Sequence, residues 1–427
     1  MSFKYLLSIG LIFILINTSV FSQENKKDLI ESNDDTTEID TTLSVPDDFD
    51  NTLDYMLHSW IVQRAGVSNC QSSEMPPPIS DSICKLRLSK MPCIMEMPYN
   101  STIRSFIDLY TIRKRTQLEY MLGMSEYYFP LFEQVLGANN LPLELKYLSI
   151  IESALNTTIV SRMGAAGLWQ LMIGTGRMYG LEINSLVDER LSPVKATKAA
   201  ARFLKDLYSI YGDWNLVIAS YNCGPGNVNK AIRRSGGKRD YWAIYPFLPR
   251  ETRSYVPIFI AANYSMRYYA EHNMCPVQVN MPVITDTIMV HQRINLEQIA
   301  AVLNLPIEEI RLLNAQYRRD IIPGNIKPYT LTLPLNYANS FIDKYDEIVA
   351  YKADELVNNR RSEIEILQQS PVSSPGGSGR VIYHKVKSGQ TLGGVAEKYG
   401  ISMAKLRKWN HIKGSTIQIG QRLKILK

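Results

Sequence analysis

The chain has 427 residues, 45% of them hydrophobic, and a formal net charge of +6. At about 150 residues per domain this allows two or three domains and at least one sizeable core, which excludes a wholly disordered or fibrous chain. The charge is too small in sum to name a partner, so its distribution has to be read along the chain.

Residues 1–23, MSFKYLLSIGLIFILINTSVFSQ, combine Lys4, an apolar run of roughly a dozen residues and the small Ser22. That is the layout of a secretory signal peptide over residues 1–22, with the mature chain starting near Gln23. An uncleaved anchor is the competing reading, although the run is shorter than the about 18 residues a spanning helix needs. No cysteine follows until Cys70, so the signal for a lipid-anchored N-terminus is missing. Residues 23–83 open with an acidic, Thr-rich segment through Asp50, poor in aromatics, which reads as a disordered spacer.

Residues 84–275 are patterned as helices almost throughout. Segments are expected over 103–122, 126–137 and 142–153. In LSPVKATKAAARFLKDLYSIYGDW, Ala196, Ala199, Ala200, Phe203, Leu204 and Leu207 mark a core-facing stripe. Ser192 is the expected N-cap, Pro193 the first-turn residue and Gly212 the stop. Residues 276–340 read strand, two short helices, strand. A polar linker is expected over 341–380, ending in QQSPVSSPGGSG. Residues 381–427 repeat the strand, helix, helix, strand order, with Leu296, Ile299 and Ala300 of the first module paralleling Leu392, Val395 and Ala396 of the second. Leu313 with Asn314 parallels Leu406 with Asn410 more loosely. The last module is rich in Lys and Arg, which favours an anionic partner; in an exported chain that points to cell-wall polymers rather than nucleic acid.

Five cysteines in an exported chain permit two disulfides, with Cys223 expected to be the unpaired one and Cys70, Cys84, Cys93 and Cys275 available to pair. The five histidines show no metal-ligand spacing, so no metal and no cofactor are expected.

Three stretches of the helical domain carry chemistry: IESALN with Glu152, MGAAGLWQLM over residues 163–172, and ASYNCGPGNV over 219–228. Glu152 follows Leu145 and Leu148 by seven and four residues, which sets a carboxylate on an apolar helical stripe. Burial there disfavours ionisation and keeps a proton available for general-acid chemistry near neutral pH. A glutamate reaching solvent at a helix end, a small-residue packing run and a plain turn are the structural readings of the same three stretches. Trp169, inside the Gly-Ala run, is expected in the core.

In this order the motifs resemble the catalytic domain of lytic murein transglycosylases, related to goose-type lysozyme. The family has a Glu-Ser pair, here Glu152 and Ser153; a Gly-Leu-(Met or Trp)-Gln stretch, here Gly167 to Gln170; and Ala-Tyr-Asn-x-Gly, here Tyr221 to Gly224 with Ser220 in place of alanine. PRETRSYVP, with Glu251 and Tyr255, resembles a fourth family segment. The resemblance covers roughly residues 90–270 and implies a mainly α, lysozyme-like catalytic domain. The last module follows the lysin motif (LysM), a small βααβ unit, in Tyr383, Val386, Gly389, Thr391, Leu392, Ala396, Leu406, Asn410, Ile417, Gly420 and Leu423; residues 276–340 look like a degenerate copy. Of these, Gly389, Thr391, Leu392 and Asn410 are taken as glycan-binding.

The resemblance implies a peptidoglycan lytic transglycosylase in which Glu152 alone is acid and then base. It also implies that Tyr221 orients Glu152, that Gln170 and Met172 line the sugar subsites, that Asn222 sets the loop, that Ser220 offers its carbonyl and that Glu251 binds sugar hydroxyls or amides. Two alternatives stay open. A lysozyme-like hydrolase would need a second carboxylate, Asp188 or Glu189, and a peptidoglycan-binding scaffold would have lost turnover. A cysteine hydrolase using Cys223 would need a histidine, and His272 is a weak candidate. The expected partner is the peptidoglycan glycan strand, the expected state a monomer, and the expected place the periplasm or cell envelope, with peripheral association at the envelope.

Overall fold

A computed structural model describes residues 76–357, except 280 and 283, and parts of 381–426. The expected signal peptide, most of the expected spacer, Cys70 and residues 358–380 of the expected linker lie outside the described residues.

The helical region begins with α1 (Asp81–Lys90) and α2 (Ser101–Asp108), each started by a polar side chain that accepts an early amide. A π-helical turn, Leu109–Arg113, leads into α3 (Arg115–Ala138). The break expected between residues 122 and 126 is absent, and the chain instead breaks at Lys114. The helix runs through Gly123 because the chain packs closely there: a Cβ would sit 1.9 Å from the Val277 carbonyl oxygen. The expected helix over 142–153 is a 3-10 turn, Leu143–Tyr147, followed by α4 (Leu148–Ser153).

After α5 (Ile173–Met178) come α6 (Pro193–Tyr211), α7 (Trp214–Cys223), α8 (Pro225–Arg234), α9 (Tyr241–Ile244) and α10 (Arg250–Arg267). In α6 the stripe of Ala196, Ala199, Ala200, Leu204 and Leu207 is buried, while Phe203 is only partly covered. Gly212 takes φ +65 and its amide caps Tyr208, as the stop requires. Ser192 occupies the N-cap position, but its side chain makes no capping bond. The centre of the domain is α10, with every residue from Ser254 to Met266 buried; it packs on α2 and α7. A helix covered on all sides must be apolar all round, which SYVPIFIAANYSM nearly is. Each large apolar side chain there adds about 1.5–3 kcal/mol.

The first βααβ module pairs β1 (Thr285–Val290) antiparallel with β4 (Tyr329–Pro334), and β2 (Arg293–Asn295) with β3 (Ile321–Pro323). Between them lie α11 (Leu296–Leu303), opened by an Asn295/Gln298 capping box, and α12 (Ile307–Leu313). Residues 341–357, expected in the linker, are packed. In α13 (Leu335–Asp343) and α14 (Tyr345–Ala350), Phe341 and Ile348 are fully buried, and α15 (Ala353–Leu356) follows.

The described residues between 381 and 426 form a separate compact unit. Its β5 (Val381–Lys385) pairs antiparallel with β6 (Arg422–Leu426), and with α16 (Met403–Asn410) it covers a core of Val386, Leu392, Val395, Ala396, Leu406, Leu423 and Ile425. Both modules use one clamp. The Asn410 amide donates to the Leu406 and Lys424 carbonyls and accepts the Lys424 N–H; Asn314 does the same with Ile310 and Thr332. The counterpart of Leu406 is therefore Ile310, not Leu313. The clamp also corrects two expected glycan ligands, because Asn410 is spent joining helix to strand and Leu392 is core, at 1% exposure. Thr391 is exposed, and Gly389 lies outside the described residues.

The cysteines depart from the two expected disulfides. Cys275 is disulfide-bonded to a partner outside the described residues, and Cys84 and Cys93 are free, as is Cys223. The Cys84 thiol is buried against the Tyr264 hydroxyl and the Arg104 guanidinium, whereas the Cys93 thiol donates to the Met91 and Met95 carbonyls.

Candidate active site

Glu152 sits in the last turn of α4, a helix buried at all six positions. The helix stops because Ala154 and Leu155 both turn left-handed, at φ +49 and +63. L-residues pay about 1–2 kcal/mol each for that conformation. Leu145 and Leu148 are fully buried, and Glu152 is 6% exposed. Loss of hydration pushes the Glu152 carboxyl from its ordinary 4.5 up to about 8, against a smaller opposing effect of its hydrogen bond from the Tyr255 hydroxyl. At neutral pH the group keeps its proton. Burial followed by the nearness of Glu152 raises both Tyr221 and Tyr255 well above the usual phenol range, so both remain neutral donors.

The loop after α4 is tied back to it. The Ser153 hydroxyl donates to the Leu168 carbonyl at 2.9 Å, and the Tyr221 hydroxyl to the Trp169 carbonyl at 2.5 Å. Trp169 is fully buried, and its indole N–H donates to Thr197 at 2.9 Å, which makes it the core residue expected. Gly167 has φ +78, and a Cβ there would lie 2.0 Å from the Arg190 carbonyl oxygen, so both conformation and space demand glycine. Gln170, half-buried at φ +42, donates to the Gly167 and Ile159 carbonyls. Met172 is exposed beyond it.

This chain of bonds brings Glu152, Gln170, Tyr221 and Tyr255 into one neighbourhood from four separate segments. One expected role changes hands. Tyr221 braces the loop, and the residue that donates to Glu152 is Tyr255, 103 positions away on α10. The carbonyl of Ser220 accepts the Gly224 amide at 2.8 Å where α7 ends, and Ser220 is fully buried. Asn222 is half-buried and its side-chain nitrogen is buried without a hydrogen-bond partner. Glu251 is exposed, one turn before Tyr255 on the same face of α10, with its carboxyl raised by partial burial.

The alternative carboxylates are committed elsewhere. Burial works to raise Asp188, but hydrogen bonds and charge from Arg190, then Arg318, outweigh it and hold the group below its ordinary value. Glu189 accepts the Glu182 amide at 2.7 Å and pairs with Lys195. Burial pushes the Cys223 thiol up to about 11 and lowers His272 to about 4, with its ring nitrogen on Tyr264, so neither suits nucleophilic chemistry.

Residues 131–244 match the family described as transglycosylase SLT domain, residues 284–350 the LysM-like domain of lytic transglycosylase MltD, and residues 384–426 the LysM domain. The match to lytic transglycosylases is thus at the level of these SLT and LysM domains, and with the fold it supports a lytic transglycosylase or lysozyme-like activity. Membrane-bound lytic murein transglycosylase D of Escherichia coli (strain K12) is 28% identical over 342 residues, 78% of this chain and 70% of that one. Soluble lytic murein transglycosylase of Escherichia coli (strain K12) is 32% identical over 124 residues, 28% of this chain and 19% of that one. The solved 70 kDa soluble lytic transglycosylase SLT70 from Escherichia coli aligns with a TM-score of 0.32 at 25% identity, over 42% of this chain and 30% of that chain.

Proposed function

We propose that the chain is a peptidoglycan lytic transglycosylase that cleaves the β-1,4 bond between N-acetylmuramic acid and N-acetylglucosamine, with Glu152 as its single acid and base. The protonated Glu152 carboxyl gives its proton to the glycosidic oxygen as the bond to the muramoyl C1 breaks. The resulting carboxylate takes the proton of the muramoyl C6 hydroxyl as that oxygen bonds to C1, closing a 1,6-anhydro ring. The acid is regenerated and no water is consumed. The substrate's own 2-acetamido group stabilises the cation in place of a second carboxylate. Tyr255 holds Glu152 in orientation, Gln170, Met172, Tyr221 and Asn222 flank the sugars, and Glu251 meets them at the exposed end.

The observation that carries this reading is a buried carboxyl whose pKa, raised to about 8, keeps its proton at neutral pH, with its rivals Asp188 and Glu189 locked in ion pairs. A hydrolase would need one of those two beside an ordered water. The same reading has the chain exported to the cell envelope, where the LysM modules and the basic C-terminal end retain it on glycan strands. Digestion of purified peptidoglycan, followed by mass spectrometry, is expected to yield anhydro-muropeptides that vanish with Glu152→Gln. Reducing-end products would contradict it.

A further inference from the structure

We infer that the first βααβ module is a positioning device for the loop beside Glu152, acting through an arginine–aspartate–arginine relay from Arg318 to Asp188 to Arg190. The connector between α12 and β3 lies against the strand-like segment at residues 186–188. Asp188 N–H donates to the Gln316 carbonyl at 2.8 Å, Arg318 N–H donates to the Leu186 carbonyl at 2.7 Å, and Val187 bridges Tyr317. Two further module residues reach Glu182, the Tyr329 hydroxyl at 2.7 Å and the Lys327 ammonium at 2.8 Å.

The side chains continue the connection inward. The Arg318 guanidinium reaches Asp188 Oδ2 at 2.9 Å, and Arg190 grips both Asp188 oxygens at 2.9 and 2.7 Å. The other guanidinium nitrogen of Arg190 donates to the carbonyls of Leu171, at 2.9 Å, and Gly164. Those two carbonyls bracket the loop of Gly167 and Gln170, and Met172 follows directly after it. Asp188 and Arg190 are 0% and 1% exposed, so neither has water to replace a lost partner. A module that leaves its place therefore weakens the hold on Asp188, then on Arg190, then on the loop. The same contacts cover the connector, so this module serves the helical domain with that surface.

The inference rests on the proposed function for its kinetic part only. In the full chain, Arg318→Ala removes a side chain that is 43% exposed and is compatible with folding. The expected result on soluble uncrosslinked glycan strands is a KM raised about tenfold with kcat and the alkaline limb of the pH profile unchanged. Amide hydrogen exchange is expected to quicken at residues 164–172, and Arg318→Lys is expected to restore most of both. Exchange that quickens only within residues 284–357, with KM unchanged, would overturn the relay. If the wild-type chain forms no anhydro product the functional reading falls, and the exchange comparison alone then decides the relay.

Discussion

Glu152 and Asp188 are two carboxylates buried in the same helical domain, and their surroundings drive them in opposite directions. Around Glu152 there are leucines and two tyrosine hydroxyls, and its pKa rises to about 8. Around Asp188 there are two guanidinium groups, and its pKa falls. Burial acts on both with the same sign; among the described residues no cation beside Glu152 offsets it, whereas Arg190 and Arg318 do so at Asp188. In the proposed function the difference gives the two separate jobs, one moving a proton and one holding the chain together.

The sharpest way to break this contrast is to neutralise each group. Glu152→Gln is expected to lower kcat by about 10²–10⁴-fold, read from release of anhydro-muropeptides. Its stability should move the other way. Because the folded pKa is raised, the wild-type protein loses stability as pH climbs from the ordinary 4.5 to about 8, while the Gln variant does not. Thermal melts should therefore coincide at acid pH and separate across that window in favour of the variant. Asp188→Ala leaves Arg190 buried without its partner and is expected to cost about 3–5 kcal/mol in denaturant unfolding. If the two substitutions behaved alike in both assays, the division of labour would be wrong.

Much of this contrast is legible in the residues themselves. Glu152 on the stripe of Leu145 and Leu148 is visible in LKYLSIIESALN, although the first half of that helix is a 3-10 turn. Trp169 reads as core for the reason it is core. Tyr255 is harder, because a donor to Glu152 from a segment 103 residues away leaves no local periodic trace. Its signals are the family-like segment PRETRSYVP and a tyrosine at the head of the apolar run VPIFIAA, a hydroxyl that must find a buried partner. Leu392 and Asn410 mislead in the opposite way: in a module of this size a motif position is as readily a core or clamp residue as a ligand, and their burial and clamp show which. The expected break between residues 122 and 126 fails because Gly123 is required inside the helix by the approach of Val277, which no sequence window contains.

Smaller changes sharpen the comparison. Tyr255→Phe removes a bond that lowers the Glu152 pKa, so the alkaline limb should shift to higher pH while kcat falls roughly tenfold, the equivalent of one hydrogen bond. Steady-state profiles between pH 6 and about 9 read both effects. Trp169→Phe deletes the indole bond to Thr197 and leaves a small cavity in the core, and roughly 2–3 kcal/mol of stability should go with it, with the pH profile untouched.

The most direct measurement is the titration of the Glu152 side chain itself, by infrared difference spectroscopy of its carboxyl band in the wild-type protein against Glu152→Gln. A midpoint close to the value of about 8 is the predicted result. A midpoint near the ordinary 4.5 would leave the group ionised at neutral pH and contradict its role as the acid.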